Sequence, residues 1–474
     1  VVLPLRLPYP ASVISWRDEL RAQTRFALPL IAVNLGNMGM GVVDILVVGR
    51  YATADVAAVS VGHGFTFLLL SFGLGVILAM DPMVSQAVGA GDRPGVARAL
   101  QRGCLLSVVL TFPLALAMGL AGPLLTWMEQ PPEIIPLAAG YAAAIGWSVF
   151  PFLLFQALRQ TLQAYEQVRA LLLTMVLANF ANFFLDVIFV FGWEGAGISP
   201  MGAVGAGWAT SFLRWIMVAC LMVVAWPSLK GLLWPFDPRS KRLAPLWRWM
   251  VLGFPVALQL TLEIGAFHLV TILMGWISIV AMAANQVLMV IISTTFMVPL
   301  GISMAAAVRV GHNVGRGDRE GARQAAGVAV ICGAGFMAAM GLILFFFSES
   351  LAMAFTFDPA VVALAVAIIP IGGVFQVFDG IQVVAGGALR GLGDLRFPAV
   401  VNLLVYWVIG LPLGLYLAFG SWDLSNENPW PNGLWWGMAG GLVVAAVVLT
   451  WRLSVRLSGD LSRLVLDQEE IQDS

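Results

Sequence analysis

Charge is what this chain has least of. Only 11% of its 474 residues are Asp, Glu, Lys or Arg, while 60% are hydrophobic; a soluble domain carries about 25% charged residues. With a mean hydropathy of +0.91, the chain has too little polar surface to face water, which excludes a soluble globule. Cysteine is scarce too. Cys104, Cys220 and Cys332 are scattered through apolar runs, an odd set that makes neither a disulfide framework nor a metal motif. His63, His268 and His312 are isolated, so no zinc, haem or redox site is read and no cofactor is expected. The Gly-x-Gly stretches lack a preceding strand and the Walker lysine, which excludes a phosphate cradle. Neither a nucleic acid nor an obligatory protein partner is expected.

What is there is a series of long apolar runs. A helix needs about 20 such residues to cross the hydrocarbon core, and runs near 26–49, 56–83, 103–124, 134–157, 168–192, 203–227, 250–276, 280–308, 325–347, 360–388, 398–419 and 434–456 predict twelve spans. Arg6, Arg17, Arg21 and Arg25 interrupt the first 25 residues, so no signal peptide is read there; Trp16 to Phe26 reads as an interfacial helix leading into the first span. With the N-terminus inside, the inner loops and tail take every Lys and Arg of the 25 except Arg50 and Arg214, and Glu129, Glu133, Glu194, Glu349, Asp358, Asp423 and Glu427 fall outside. This is the positive-inside pattern, and it places both termini in the cytoplasm. Trp226, Trp234, Trp247 and Trp249 on one side, and Trp422, Trp430, Trp435 and Trp436 on the other, fit an aromatic belt.

The chain also repeats itself at an offset of 226: Pro29 with Pro255, Gly39 with Gly265, Gly75 with Gly301, and Gly89-Ala-Gly-Asp-Arg-Pro-Gly95 with Gly315-Arg-Gly-Asp-Arg-Glu-Gly321. Asp92 and Asp318 read as caps in those loops, and Asp81-Pro82 reads as the end of a helix. The fold class expected is all-α integral membrane, with twelve transmembrane helices in two six-helix bundles related by a pseudo-twofold axis along the membrane normal. The segments are 1–228 (N-terminal bundle), 229–248 (linker loop), 249–457 (C-terminal bundle) and 458–474 (tail).

Four acids fall deep inside spans: Asp44, Asp186, Glu263 and Asp379. Each costs roughly 2.5–3.5 kcal/mol at mid-membrane and needs a compensating role. Each also sits on a polar seam. Asn34 and Asn37 share the face of Asp44; Asn179 and Asn182 share that of Asp186; Gln259 precedes Glu263 by one turn; and Gln376 and Gln382 flank Asp379. Such seams face a bundle interior or a wet cavity. The acids ignore the repeat, since Asp44 aligns with Val270 and Glu263 with Asn37. Arg214 is the one base read as deep in a span, so the acids are left to take up protons or hold cations. That is the chemistry of an ion-coupling site, with H⁺ and Na⁺ both open.

The inner-loop Gly-Ala-Gly-Asp, Asn182-Phe-Phe-Leu-Asp186, Gly253-Phe-Pro255 with Glu263, and Phe375-Gln-Val-Phe-Asp379 through Ala388-Leu-Arg-Gly-Leu-Gly-Asp394 resemble the multidrug and toxic compound extrusion (MATE) family, its NorM-like branch in particular. The resemblance covers nearly the whole chain. It implies a bacterial inner-membrane antiporter, a transporter and not an enzyme, that exports small organic cations and amphipathic drugs in exchange for H⁺ or Na⁺. It assigns a C-terminal cation site to Glu263 and Asp379, and an N-terminal one to Asp44, Asn182 and Asp186. The chain departs from the pattern at Phe375, where some relatives carry an aromatic hydroxyl. The alternative reading is a flippase for lipid-linked precursors or other amphiphiles in the same superfamily, which would need several bases in its cleft.

Overall fold

The computed structural model describes residues 15–420 and 429–467. Arg6, Trp422, Asp423 and Glu427, used in the charge and aromatic readings, lie outside them. Helices account for nearly all of the described chain; its sole isolated bridge pairs Trp193 with Ile198. Among the described residues eleven helices are long and apolar enough to cross a bilayer, and a bent pair, Ile135–Gly146 and Val149–Ala164, makes a twelfth span if its 48° break is crossed as one. The span expected at 134–157 is therefore two helices, α6 and α7. Pro151 stands in the first turn of α7 and has no N–H with which to continue the ladder of α6.

In chain order the helices before that pair are α1 (Trp16–Val48), α2 (Thr53–Leu78), α3 (Met80–Gly89), α4 (Arg93–Gly119) and α5 (Ala121–Trp127). After it come α8 (Val168–Phe191), α9 (Gly202–Leu233), α10 (Leu243–Ile277), α11 (Ile279–Arg316), α12 (Arg319–Phe346), α13 (Ser348–Met353), α14 (Pro359–Gly391), α15 (Arg396–Leu403), a π-helical segment Leu404–Gly410, α16 (Leu411–Phe419) and α17 (Asn432–Ser458). Two local expectations change. The interfacial helix read at 16–26 is continuous with the first span, giving a 33-residue helix about 50 Å long at 1.5 Å per residue. Pro82 opens α3 rather than closing a helix, in a first turn where a missing N–H costs nothing.

The chain packs as two compact units. One holds Ala32–Ala257 and the tail from Val465; the other holds Leu258–Leu464 and the stretch ending at Ile31. The boundaries thus fall inside α1 and α10, so the first half of each of these helices belongs with the other repeat. The contacts that fix this obey the 226 offset. In the second unit Gln23 Nε2 donates to the Ile302 carbonyl at 3.1 Å, and Gly301 lies against the backbone of Ile31. In the first unit Trp249 Nε1 donates to the Val76 carbonyl at 2.9 Å, and Gly75 lies against the backbone of Ala257. A Cβ on Gly75 would overlap Ala257 N and Cα, so this close approach requires glycine. The same logic joins α16 to α17, where Gly437 abuts Gly414 and Gly433 abuts Ala418, a small-residue seam that lets backbones meet without a hydrophobic driving force.

The repeated loop motif has a local explanation. Gly91 and Gly317 both take φ of +72°. Asp92 and Asp318 then cap α4 and α12, accepting from Gly95 N at 2.8 Å and Gly321 N at 2.9 Å. In the first unit, α4 also fastens the central loop and the tail. Gln101 donates to the carbonyls of Leu232 and Pro235 and accepts from Asp237 N and Ser240 Oγ, while Arg102 pairs with Asp467 at 2.7 Å. In the second unit Arg309 grips Glu19 through two 2.6 Å bonds, both side chains buried. Removing one partner of such a pair leaves the other charged and unpaired, a loss of about 3–5 kcal/mol. Glu19→Ala is expected to lower the thermal midpoint of the detergent-solubilised protein strongly, and the paired change Glu19→Met with Arg309→Met to recover most of it; scanning fluorimetry of both variants measures the difference.

Candidate functional site

The four intramembrane acids resolve into two clusters, one in each unit. In the first unit, α1 and α8 bring Asp44 beside Asp186. The Asn182 amide stands between them and donates from Nδ2 to Asp44 Oδ1 and to Asp186 Oδ2, both at 2.7 Å. An amide NH₂ carries two hydrogens, so one goes to each acid. Asp186 and Asn182 are fully buried and Asp44 is half-buried. The second carboxylate oxygen, Asp186 Oδ1, is buried without a hydrogen-bond partner. Two carboxyls this close in a medium of low dielectric require a proton or a cation to balance them.

The neighbours of this cluster are partly unforeseen. Tyr141 on α6 and Arg214 on α9 lie within electrostatic range of Asp44. Arg214 makes no ion pair with either acid; it donates to Ser148 Oγ at 2.9 Å and lies 4.9 Å over the Phe152 ring. Asn179 turns its amide hydrogen back to the Met175 carbonyl at 2.9 Å and lies beside Gly39 of α1. Asn34 leaves the seam: it is buried and accepts from Arg159 Nη2 at 2.8 Å. Arg159, read from sequence as an inner-loop charge, is thus buried, and lies within electrostatic range of Asp81. Asn37 is exposed on α1 and is not drawn into the cluster.

In the second unit, Glu263 of α10 and Asp379 of α14 interact with each other. Tyr406, on the π-helical segment, donates from Oη to Glu263 Oε1 at 3.4 Å. Its neighbour Trp407 donates to the Leu262 carbonyl at 3.1 Å, so two adjacent residues both reach α10. Asn402 approaches the Glu263 carboxylate, and Arg390 lies within electrostatic range of it. The polar seam on α14 is fully buried: Gln376, Asp379 and Gln382 are 1%, 5% and 2% exposed. Gln259 stays half-buried one turn before Glu263.

The second cluster is notable for unmet hydrogen bonds. Both amide atoms of Gln376, both of Asn402, Asp379 Oδ1 and Gln382 Oε1 are buried without a partner. Buried polar groups in proteins are almost always paired, and each orphan needs an explanation. Among the described residues no three His, Cys, Asp or Glu converge, so any ion bound to either pair of acids must complete its shell from neutral oxygens. Aromatic rings close this site: Trp435 meets Phe375 edge-on at 5.3 Å, and Phe267 meets both Phe375 and Tyr406 at 5.9 Å. A separate cavity of about 380 Å³, lined by Gln286, Phe355, Thr356, Asp358 and neighbouring apolar residues, contains none of the four intramembrane acids.

Sequence reasoning overlooked Tyr406, Asn402 and Tyr141. Asn402 and Tyr406 stand four residues apart in an apolar span, which is the seam pattern that flagged the other residues, but no acid drew attention to it.

Comparison with known proteins gives a consistent picture. The sequence model of the MatE family matches residues 29–188 and 255–416, two copies whose starts are again 226 apart. The probable multidrug resistance protein NorM of Mesorhizobium japonicum is 34% identical, over 94% of this chain and 96% of that protein. Its counterpart in Rhodopseudomonas palustris is 36% identical over 95% and 94%. The multidrug resistance protein NorM of Vibrio cholerae is 31% identical over 92% and 96%. Among solved structures the eukaryotic MATE transporter AtDTX14 superposes with a TM-score of 0.83 at 22% identity, covering 94% of this chain and 98% of that one.

The orphaned amides yield a prediction about stability. A buried amide without a partner costs free energy in the empty protein, and an apolar group of like shape removes that cost. Gln376→Met is expected to keep or raise the thermal midpoint of the ligand-free protein. A fall of several degrees in scanning fluorimetry would show that the amide serves the fold.

Proposed function

Because the chain belongs to the MatE family, whose members are transporters and not enzymes, we propose that it is a secondary antiporter exporting cationic or amphipathic small molecules in exchange for H⁺ or Na⁺. The observation that carries this reading is the pair of carboxylate clusters inside the spans, each with a buried carboxylate oxygen that has no partner, Asp186 Oδ1 and Asp379 Oδ1. Four acids at roughly 2.5–3.5 kcal/mol each amount to about 10 kcal/mol or more, comparable with the entire stability of a typical domain. Such a cost is met when a mobile cation occupies the sites for part of the cycle.

In the proposed cycle an entering ion binds Asp44, Asn182 and Asp186 in one half, or Glu263 and Asp379 in the other. Its binding favours one orientation of the halves, and the organic substrate favours the other. Exchange then needs only that the two ligands prefer different states. In this reading the polar side chains of Asn37, Asn179, Gln259, Gln376 and Gln382 serve the substrate cavity, while Asn34 is tied up with Arg159. The multidrug names of the relatives support a drug-like substrate class. The positive-inside charge pattern supports a place in the cell's inner membrane with both termini cytoplasmic. The flippase alternative gains no such support: holding lipid phosphates would need several available bases, and Arg159 and Arg214 are engaged by Asn34 and Ser148.

Reconstituted into proteoliposomes, the protein is expected to move an organic cation such as ethidium when a proton or sodium gradient is imposed alone. Asp44→Asn and Asp379→Asn are each expected to abolish that transport with normal expression and folding. Transport by neither gradient would overturn the reading, and full activity in either variant would remove that acid from it.

A further inference from the structure

The leading turns of α1 carry two faces of opposite character. One is buried in the second unit, where Glu19 pairs with Arg309, Gln23 donates to the Ile302 carbonyl and Phe26 is buried. The other consists of Arg17, Leu20, Arg21, Thr24, Arg25 and Leu28, all exposed. Their spacing of i, i+3, i+4, i+7, i+8 and i+11 makes one stripe along the helix. Packing does not call for the arginines. The offset of 226 maps them onto Leu243, Trp247 and Val251, which are exposed on α10, so the equivalent docking works with an apolar outer face. Among the described residues none of the three guanidiniums has a hydrogen-bond or ion-pair partner. Asp18, the neighbouring acid, accepts from the Ser15 hydroxyl at 2.7 Å instead. Arg17 lies in the first turn of α1, where the helix dipole disfavours a cation.

We propose that this stripe is a binding face for an anionic phospholipid, its headgroup phosphate held by Arg17, Arg21 and Arg25 and an acyl chain laid along Leu20 and Leu28. The guanidinium fork matches the oxygens of a phosphate and holds two at once. Successive arginines stand about 6 Å apart along the axis, and their long stems let the charged heads reach a common level at the membrane surface. The leucines between them select a lipid over a water-soluble polyanion such as a nucleic acid, which would leave them uncovered. Charge that serves only to orient a chain during insertion can sit anywhere in a flanking loop. Here it is fixed at one-turn intervals on a helix that continues into the first span as a single 33-residue element. A lipid bound there holds the outer side of the turns whose inner side is held by Arg309. The inference does not depend on which ion or substrate the protein carries.

The test is equilibrium binding of a fluorescent phosphatidylglycerol to the full-length protein in neutral detergent, competed by unlabelled phosphatidylglycerol or phosphatidylcholine, with thermal midpoints measured on the same preparations. The wild type is expected to prefer phosphatidylglycerol by about tenfold or more, and to lose most of that preference between about 0.1 M and about 1 M salt. Arg21→Gln alone is expected to weaken the binding about fivefold. Arg17→Gln with Arg21→Gln and Arg25→Gln is expected to abolish the preference, with an unchanged midpoint in phosphatidylcholine. A control triple, Arg169→Gln with Lys230→Gln and Arg396→Gln, removes as much exposed charge elsewhere and is expected to keep the preference. No preference in the wild type overturns the proposal, and so does a preference that survives the stripe triple. An equal loss in the control overturns it as well, since that is the mark of general charge attraction. A loss confined to preparations with a lowered midpoint marks a structural role and has the same effect. Where the stripe triple yields no folded protein, Arg21→Gln decides, and wild-type affinity in that variant overturns the proposal.

Discussion

Hydrocarbon offers polar atoms no solvent, so every buried oxygen and nitrogen in a membrane helix must find a partner within the protein or be left for a ligand. Most of this chain obeys the first alternative. Asn34 is matched to Arg159, Asn285 to Trp435 and Thr271, and Glu19 to Arg309. Buried atoms without a hydrogen-bond partner also occur on Gln23, Arg102, Gln163 and Thr174, but those on Asp186, Gln376, Asp379, Gln382 and Asn402 belong to the seams and clusters of the intramembrane acids.

The two halves share a frame and differ in their contents. Contacts that require two backbones to approach each other keep the repeat: Gly75 on Ala257 and Gly301 on Ile31 are equivalent pairs. Donors at the equivalent positions 23 and 249 keep their job while changing chemistry, from a glutamine amide to a tryptophan indole. The acids keep neither position nor partner. One pair shares an asparagine, while the other faces a tyrosine on a π-turn. Packing geometry tolerates little drift because a single Cβ overlaps a neighbouring backbone. Polar sites are free to diverge once each half takes its own ligand.

The span count, the repeat and the Asn182–Asp186 seam were legible because each rests on a periodic signal: run length, a fixed offset, or helical spacing; the place of Asp44 beside that seam came from the family resemblance alone. The break between Gly146 and Val149 was not, since a helix that bends within an apolar run looks the same as one that does not. Arg159 was misjudged for a related reason. Its place near the end of a run suggested a loop, whereas α7 continues to Ala164 and buries it. Tyr406 was invisible because a phenol inside a span reads as one more aromatic. Its significance comes from a register that only the three-dimensional backbone reveals. Likewise, no sequence pattern indicates that the opening halves of α1 and α10 belong with the opposite repeat.

That exchange has a consequence in time. A chain is made from its N-terminus, and Gln23 must wait for a carbonyl 279 residues further on, while Glu19 waits for a guanidinium 290 residues away. Trp249, by contrast, is made after its acceptor Val76. The leading turns of α1 therefore cannot make these contacts until the chain has been made as far as residue 309. The leading turns of α10 meet residues made before them, whereas those of α1 meet residues made long after.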